Sequence, residues 1–176
     1  MTRPGPRSAI VVPVALPAAL EAIRQAHVDN AGLGVPAHVT LLFPFVPARD
    51  LSEGDVARAV AAVGRTPTFD VEFREVTTFD PGPSKEGVVW LAPEPSAPFI
   101  AMTEALAATF PEYPPYEGLH DTVIPHLTLA NVDVDVAALT AGARPALPFR
   151  KRVRRAVVLL EDDAGRWRVG HELPLA

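Results

Sequence analysis

The chain has 176 residues, 48% of them apolar and 21% charged, which is enough to build one domain around a proper core. It contains no cysteine, so disulfides, thiolate nucleophiles, zinc knuckles and iron–sulfur clusters are excluded. A net charge of −5 and an isoelectric point near 5.5 argue against a surface built to grip long duplex nucleic acid.

Arg3 and Arg7 precede an apolar stretch over residues 9–20, in the manner of a secretory signal. Pro13 and Pro17 interrupt it, and the segment has a counterpart in the second half of the chain. It therefore reads as a strand over 9–16 followed by a helix over 18–27, with Leu20 and Ile23 on one face. No run approaches the roughly 20 apolar residues of a membrane span, and the chain is expected in the cytoplasm as a monomer. A loop with Gly32 and Gly34 leads to His38-Val39-Thr40-Leu41, in a run that reads as a strand. A helix over 54–63, a long strand over 69–79 and a turn at Pro81-Gly82-Pro83 follow.

The order of elements then restarts. A strand over 88–92 carries Trp90, and a helix over 97–110 has Ile100, Leu106 and Phe110 as its expected buried stripe. A Pro/Tyr-rich loop over 111–119 leads to Pro125-His126-Leu127-Thr128-Leu129. A helix over 134–141, a strand over 153–160, a turn at Asp162-Asp163-Ala164-Gly165 and a strand through Trp167-Arg168-Val169 complete the chain. The 20 prolines fall between periodic segments and point to rigid loops and abrupt strand ends. This repeat predicts an α+β fold: two pseudo-twofold-related lobes, each an antiparallel sheet with flanking helices, around a central cleft. Residues 1–176 are accordingly expected to form a single bilobal domain with internal duplication.

The two four-residue phrases lie 88 positions apart, half the chain length. Side chains alternate along a strand, so His38 and Thr40 share one face while Val39, Leu41 and Phe43 take the other. His126 and Thr128 repeat the pattern over Leu127 and Leu129. A pseudo-twofold axis would converge two imidazoles and two hydroxyls on one volume, suited to acid–base chemistry on a phosphate. Histidine titrates near neutrality, so one ring can take a proton while the other gives one. Hydroxyls can donate to non-bridging oxygens. One such motif would ordinarily be structural, a locally bonded histidine and a threonine present for β propensity. The paired occurrence tips the balance toward function.

The H-x-T-x pair, its wide separation and the duplicated layout resemble the two-histidine (2H) phosphoesterase superfamily, and within it the bacterial 2′-5′ RNA ligase and cyclic phosphodiesterase branch. The resemblance implies metal-independent, cofactor-free chemistry on 2′,3′-cyclic phosphates or 2′-5′ linkages of RNA ends and nucleotides. It implies that His38 and His126 are the general acid and general base, and that Thr40 and Thr128 bind the phosphate. The expected partners are RNA ends or nucleotides, with no membrane and no long duplex. Reversible 2′-5′ RNA ligation is one alternative, and a non-catalytic module for nucleotides or RNA ends is another.

Other candidates carry less. His27, His120 and His171 have no metal-ligand spacing. His27 reads as a helix end, where a cation suits the dipole, and His171 as solvated. His120 and Asp121 could orient a catalytic ring or simply occupy a loop. Arg150-Lys151-Arg152, with Arg154 and Arg155 and with Arg144, Arg166 and Arg168 near in sequence, could steer a phosphate or protect a strand edge. Tyr113, Tyr116, Phe45 and Trp90 could stack a base or serve in packing. Phosphate-cradling glycine loops and a nucleophile elbow are absent from the sequence.

Overall fold

A computed structural model describes residues 5–79, 88–119, 122–131 and 134–176. The expected Pro81-Gly82-Pro83 turn, His120 and Asp121 lie outside the described residues. In chain order the elements are β1 (Ser8–Pro13), α1 (Ala18–His27), β2 (His38–Leu42), α2 (Glu53–Val63), β3 (Phe69–Phe79) and β4 (Val88–Glu94). Then come α3 (Ala97–Thr109), β5 (Leu127–Ala130), α4 (Val136–Ala143), β6 (Phe149–Val153), β7 (Arg155–Glu161) and β8 (Trp167–Pro174).

The strands pair antiparallel in the order β6-β3-β4-β5-β2-β1-β7-β8. The two motif strands, β5 and β2, are central neighbours. Outward from them lie β4, β3 and β6 on one side and β1, β7 and β8 on the other, so the two halves mirror each other in strand count. The halves also exchange parts. The first repeat's β3 pairs with β4 of the second, and β7 pairs with β1 of the first. Helix α3 packs on β2, and α1 packs on β5.

Packing assigns the two faces of the central strands. Val39, Leu41, Leu127 and Leu129 are buried with Leu20 of α1 and Phe99, Met102 and Leu106 of α3 in the main core. Burying a side chain of this size contributes roughly 1.5–3 kcal/mol, so this face is fixed toward the helices. His38, Thr40, His126 and Thr128 are left on the opposite, half-buried face.

Three expectations change. The buried stripe of α3 is Phe99, Met102, Thr103 and Leu106, while Ile100 is 37% exposed. The helix is apolar nearly all round, so several stripes fit its sequence and tertiary packing chooses among them. The strand expected over 153–160 is found as β7, and an unexpected strand, β6, precedes it over Phe149–Val153. Arg150, Lys151 and Arg152 are themselves strand residues on the outer edge, where Arg150 pairs with Glu72 and Arg152 with Asp70, each directly opposite on β3. That favours the edge-protecting role over phosphate steering. Finally, Phe43 does not share the core face of Val39 and Leu41. Between Ile10 and Val11 the β1–β2 register skips one residue, Leu41, so Ile10 faces Leu42 and Val11 faces Thr40. The bulge reverses the alternation and turns Phe43 to the face of His38. The β4–β5 ladder skips Leu129 in the same way. Each motif thus ends in a bulged leucine.

Candidate active site

The register at the centre sets the site. Val39 pairs with Leu127; in an antiparallel ladder this puts His38 across from Thr128 and Thr40 across from His126. The two histidines are diagonal neighbours, which sheet geometry puts roughly 7–8 Å apart, with their Cβ atoms somewhat closer. A tetrahedral phosphoryl group fits between rings so spaced.

Each ring is held in the same way. His38 Nδ1 lies 2.7 Å from the Pro36 carbonyl, and His126 Nδ1 lies 2.8 Å from the Ile124 carbonyl. A carbonyl can only accept, so each Nδ1 carries a proton and donates it. The Nε2 atoms are left for chemistry. Burial pushes the His38 imidazole below the ordinary histidine value, the Pro36 carbonyl opposes this, and Arg24 and His126 push further down. Burial also lowers His126, against the Ile124 carbonyl. Arg24 is itself buried in α1 and donates to the Val35 carbonyl at 3.1 Å, steadying the loop before His38.

The surroundings of the rings differ. His126 is boxed by aromatics, with Phe79 edge-on at 5.1 Å and Trp90 at 5.8 Å, and those two stacked at 4.5 Å. Trp90 lies directly across from Thr128, and its buried Nε1 finds no hydrogen-bond partner among the described residues. On the other side, His38 and Thr40 open into a cleft of about 280 Å³, also lined by Arg7, Asn30, Phe43 and Trp167. Its floor is a small apolar cluster of Ala9, Val11, Val35, Val157 and Leu159. The Arg7 guanidinium forms a two-pronged pair with Glu161 at 2.8 and 3.0 Å and lies over the Phe43 and Trp167 rings. Gly34 (φ +94°) presses so close to Trp167 that a Cβ there would meet its carbonyl oxygen at 2.3 Å.

All four motif residues are thus brought together. Of the aromatic candidates, Trp90 is at the site, and Tyr116 is tied to β2 by its backbone N–H, which donates to the Phe43 carbonyl at 2.7 Å. Phe45 and Tyr113 pack on each other in or against the main core. His27 ends α1, and His171 is exposed on β8. Among the described residues no three His, Asp or Glu side chains gather as metal ligands. The sequence reading missed Arg7, Asn30, Phe43, Phe79 and Trp167 as site residues. Arg7 was within reach, because alternation along the first strand puts residues 7, 9 and 11 on one face. Phe43 was not, because its placement depends on the bulge.

Two imidazole–hydroxyl pairs on adjoining strands at the centre of a two-half antiparallel sheet define the two-histidine phosphoesterase class. A model of the 2′-5′ RNA ligase superfamily matches residues 12–165, and the chain belongs to that superfamily. No curated protein matches the chain. Solved structures share its fold. E. coli LigT in apo form is 19% identical with a TM-score of 0.57, covering 98% of this chain and 99% of LigT. E. coli LigT complexed with 3′-AMP is 19% identical at 0.58, covering 97% and 98%. TT0787 of Thermus thermophilus is 18% identical at 0.62, covering 96% and 97%.

Proposed function

We propose that this phosphoesterase opens 2′,3′-cyclic phosphates at RNA ends or on nucleotides, without a metal, by paired-histidine acid–base catalysis. The observation that carries the reading is the matched pair of carbonyl-held rings, each presenting Nε2 to one face beside a threonine hydroxyl. The crystallised complexes of E. coli LigT with 3′-AMP, with phosphate and with ATP lend support for a nucleotide substrate.

In this reading His38 Nε2 takes a proton from water. Arg24 and His126 depress His38 beyond the effect of burial, which favours its neutral, basic form. The water oxygen bonds to phosphorus as the bond from phosphorus to one ribose oxygen breaks. His126 Nε2, protonated in the presence of the bound anion, gives its proton to that leaving oxygen. Thr40 and Thr128 donate to the non-bridging oxygens, where charge builds in the transition state. Ligation to a 2′-5′ linkage would be the same ring opening with the 5′-hydroxyl of a second RNA end in place of water: its oxygen bonds to phosphorus as the bond to the 3′ oxygen breaks, and that oxygen takes the proton.

The test is turnover of nucleoside 2′,3′-cyclic phosphates in EDTA by the wild type, His38→Ala and His126→Ala. Each substitution should cut kcat by roughly 10²–10⁴. The profile of kcat/KM against pH should be bell-shaped, with the base limb below the ordinary histidine value of about 6.5. Activity lost in EDTA, or unaffected by either substitution, would overturn the proposal.

A further inference from the structure

With His38 as the base, its side of the site is the side from which the nucleophile comes. The cleft that opens there, beside His38 and Thr40, measures about 280 Å³. One water takes only about 30 Å³ in the liquid. The space therefore suits a nucleophile carried on something much larger than water.

The walls define the carrier. The Arg7 guanidinium lies 5.8 Å from the centre of the Phe43 ring and 5.5 Å from that of Trp167. Aromatic faces and a guanidinium plane are surfaces on which bases stack. The charge of Arg7 is met by the buried Glu161 carboxylate, which also accepts the Arg7 backbone N–H at 3.0 Å. A cation so compensated offers little to a second anion and suits a neutral ring. Beneath lies an aliphatic floor that includes Val11 and Leu159.

The cleft is not a by-product of the fold, because the ladders of the two halves match position by position. Val11 lies across from Thr40, as Trp90 lies across from Thr128. Two residues earlier on each strand, Ala9 lies across from Leu159, as Val88 lies across from Phe79. Val11 and Leu159 thus stand where the other half has Trp90 and Phe79, whose stacked rings lie against His126 at 5.8 and 5.1 Å. Small aliphatic side chains beside His38 keep open a space that aromatic rings take beside His126.

We infer that this cleft is the subsite for a nucleoside that attacks through its 5′-hydroxyl, so that the protein joins a 2′,3′-cyclic phosphate to a second nucleoside as well as to water. The inference rests on the paired-histidine reading. The 5′ oxygen bonds to phosphorus as the bond from phosphorus to the 3′ oxygen breaks. The 5′-hydroxyl proton passes to His38 Nε2, and the proton on His126 Nε2 passes to the 3′ oxygen. The product is a 2′-5′ diester, and no further reactant is consumed.

The experiment supplies adenosine 2′,3′-cyclic phosphate with increasing cytidine and measures the 2′-5′ diester and the hydrolysed nucleotide in the same reaction. In the wild type the rate of diester formation should rise with cytidine and level off, because a bound nucleoside saturates its subsite. Leu159→Phe fills the cleft with the ring found at the matching position, and Phe43→Ala removes a stacking wall. Below saturation, each should lower the ratio of diester to hydrolysis about fivefold or more, the loss of one stacking contact. Taking the ratio within one reaction cancels any difference in the amount of folded protein. Diester that forms in simple proportion to cytidine, at an unchanged ratio in both variants, or not at all while hydrolysis proceeds, would overturn the inference. If the wild type hydrolyses nothing, the phosphodiesterase reading fails and calorimetry decides the subsite. Cytidine binding weakened by both variants supports it, and binding that is absent or unaltered overturns it.

Discussion

An imidazole that gives its Nδ1 proton to a carbonyl two residues upstream is fixed in ring plane and tautomer together. Both histidines here are held that way, by Pro36 and by Ile124. Burial depresses both relative to an ordinary histidine, and this has a thermodynamic consequence. Between the lowered native value and the unfolded value near 6.5, the unfolded chain binds more protons than the folded one. Stability contributed by the neutral rings is therefore complete above about 6.5 and is lost as pH falls through the native values. The melting temperature of the ligand-free protein should drop between pH 7.5 and pH 5. His38→Asn should shrink that drop, because it removes a buried group that must otherwise charge. A drop as large in the variant as in the wild type would show that His38 does not titrate as its burial requires.

The elements show where alternation can be trusted and where it cannot. His38 with Thr40, and His126 with Thr128, share a face because each pair precedes its bulge, and that much was legible in the sequence. Past Leu41 the extra residue reverses the pattern, so Phe43 joins the cleft against expectation. No periodicity announces such a bulge, since Leu41 and Leu42 are both buried. The edge strand β6 was hidden for another reason. Its Arg-Lys-Arg run lacks apolar alternation, and what favours the pairing lies on β3: the acidic residues opposite the run and Phe73, which stacks on Phe149 at 5.0 Å. The loop into β2 has one position where only glycine fits. Gly34 sits at φ +94° against the Trp167 backbone, so Gly34→Ala must both strain the backbone and displace a cleft wall. A cost of about 1–3 kcal/mol is expected, a fall in melting temperature of roughly 2–4 °C per kcal/mol for a chain of this size. KM should rise as Trp167 moves. Gly32→Ala, where a Cβ meets nothing within 4 Å, should leave KM unchanged and serves as the control. Equal behaviour of the two variants would remove the close approach as the reason for Gly34.

At the scale of the whole molecule, the repeat is what makes neighbours of residues 38 and 126. The exchange of β3 and β7 between halves lay beyond the sequence, because it depends on which strand edges remain free once the motif strands have paired. The same architecture separates two kinds of positive charge. Arg7 lines the cleft, whereas Arg150 and Arg152 sit on β6, three strands beyond β5. At about 4.8 Å per strand that is roughly 14 Å from β5, and farther from the junction where an anion would sit. The Debye length at physiological salt is about 8 Å, so the field of β6 is largely screened before it reaches the site. These arginines are also partly neutralised by Glu72 and Asp70. Reversing both charges, Arg150→Glu with Arg152→Glu, should therefore leave kcat/KM for a cyclic phosphate within about twofold at 0.15 M salt. It should lower the melting temperature, because like charges would then face each other directly across the β3–β6 ladder. A large fall in kcat/KM that deepens as salt is lowered would instead make β6 part of the path by which an anionic substrate arrives.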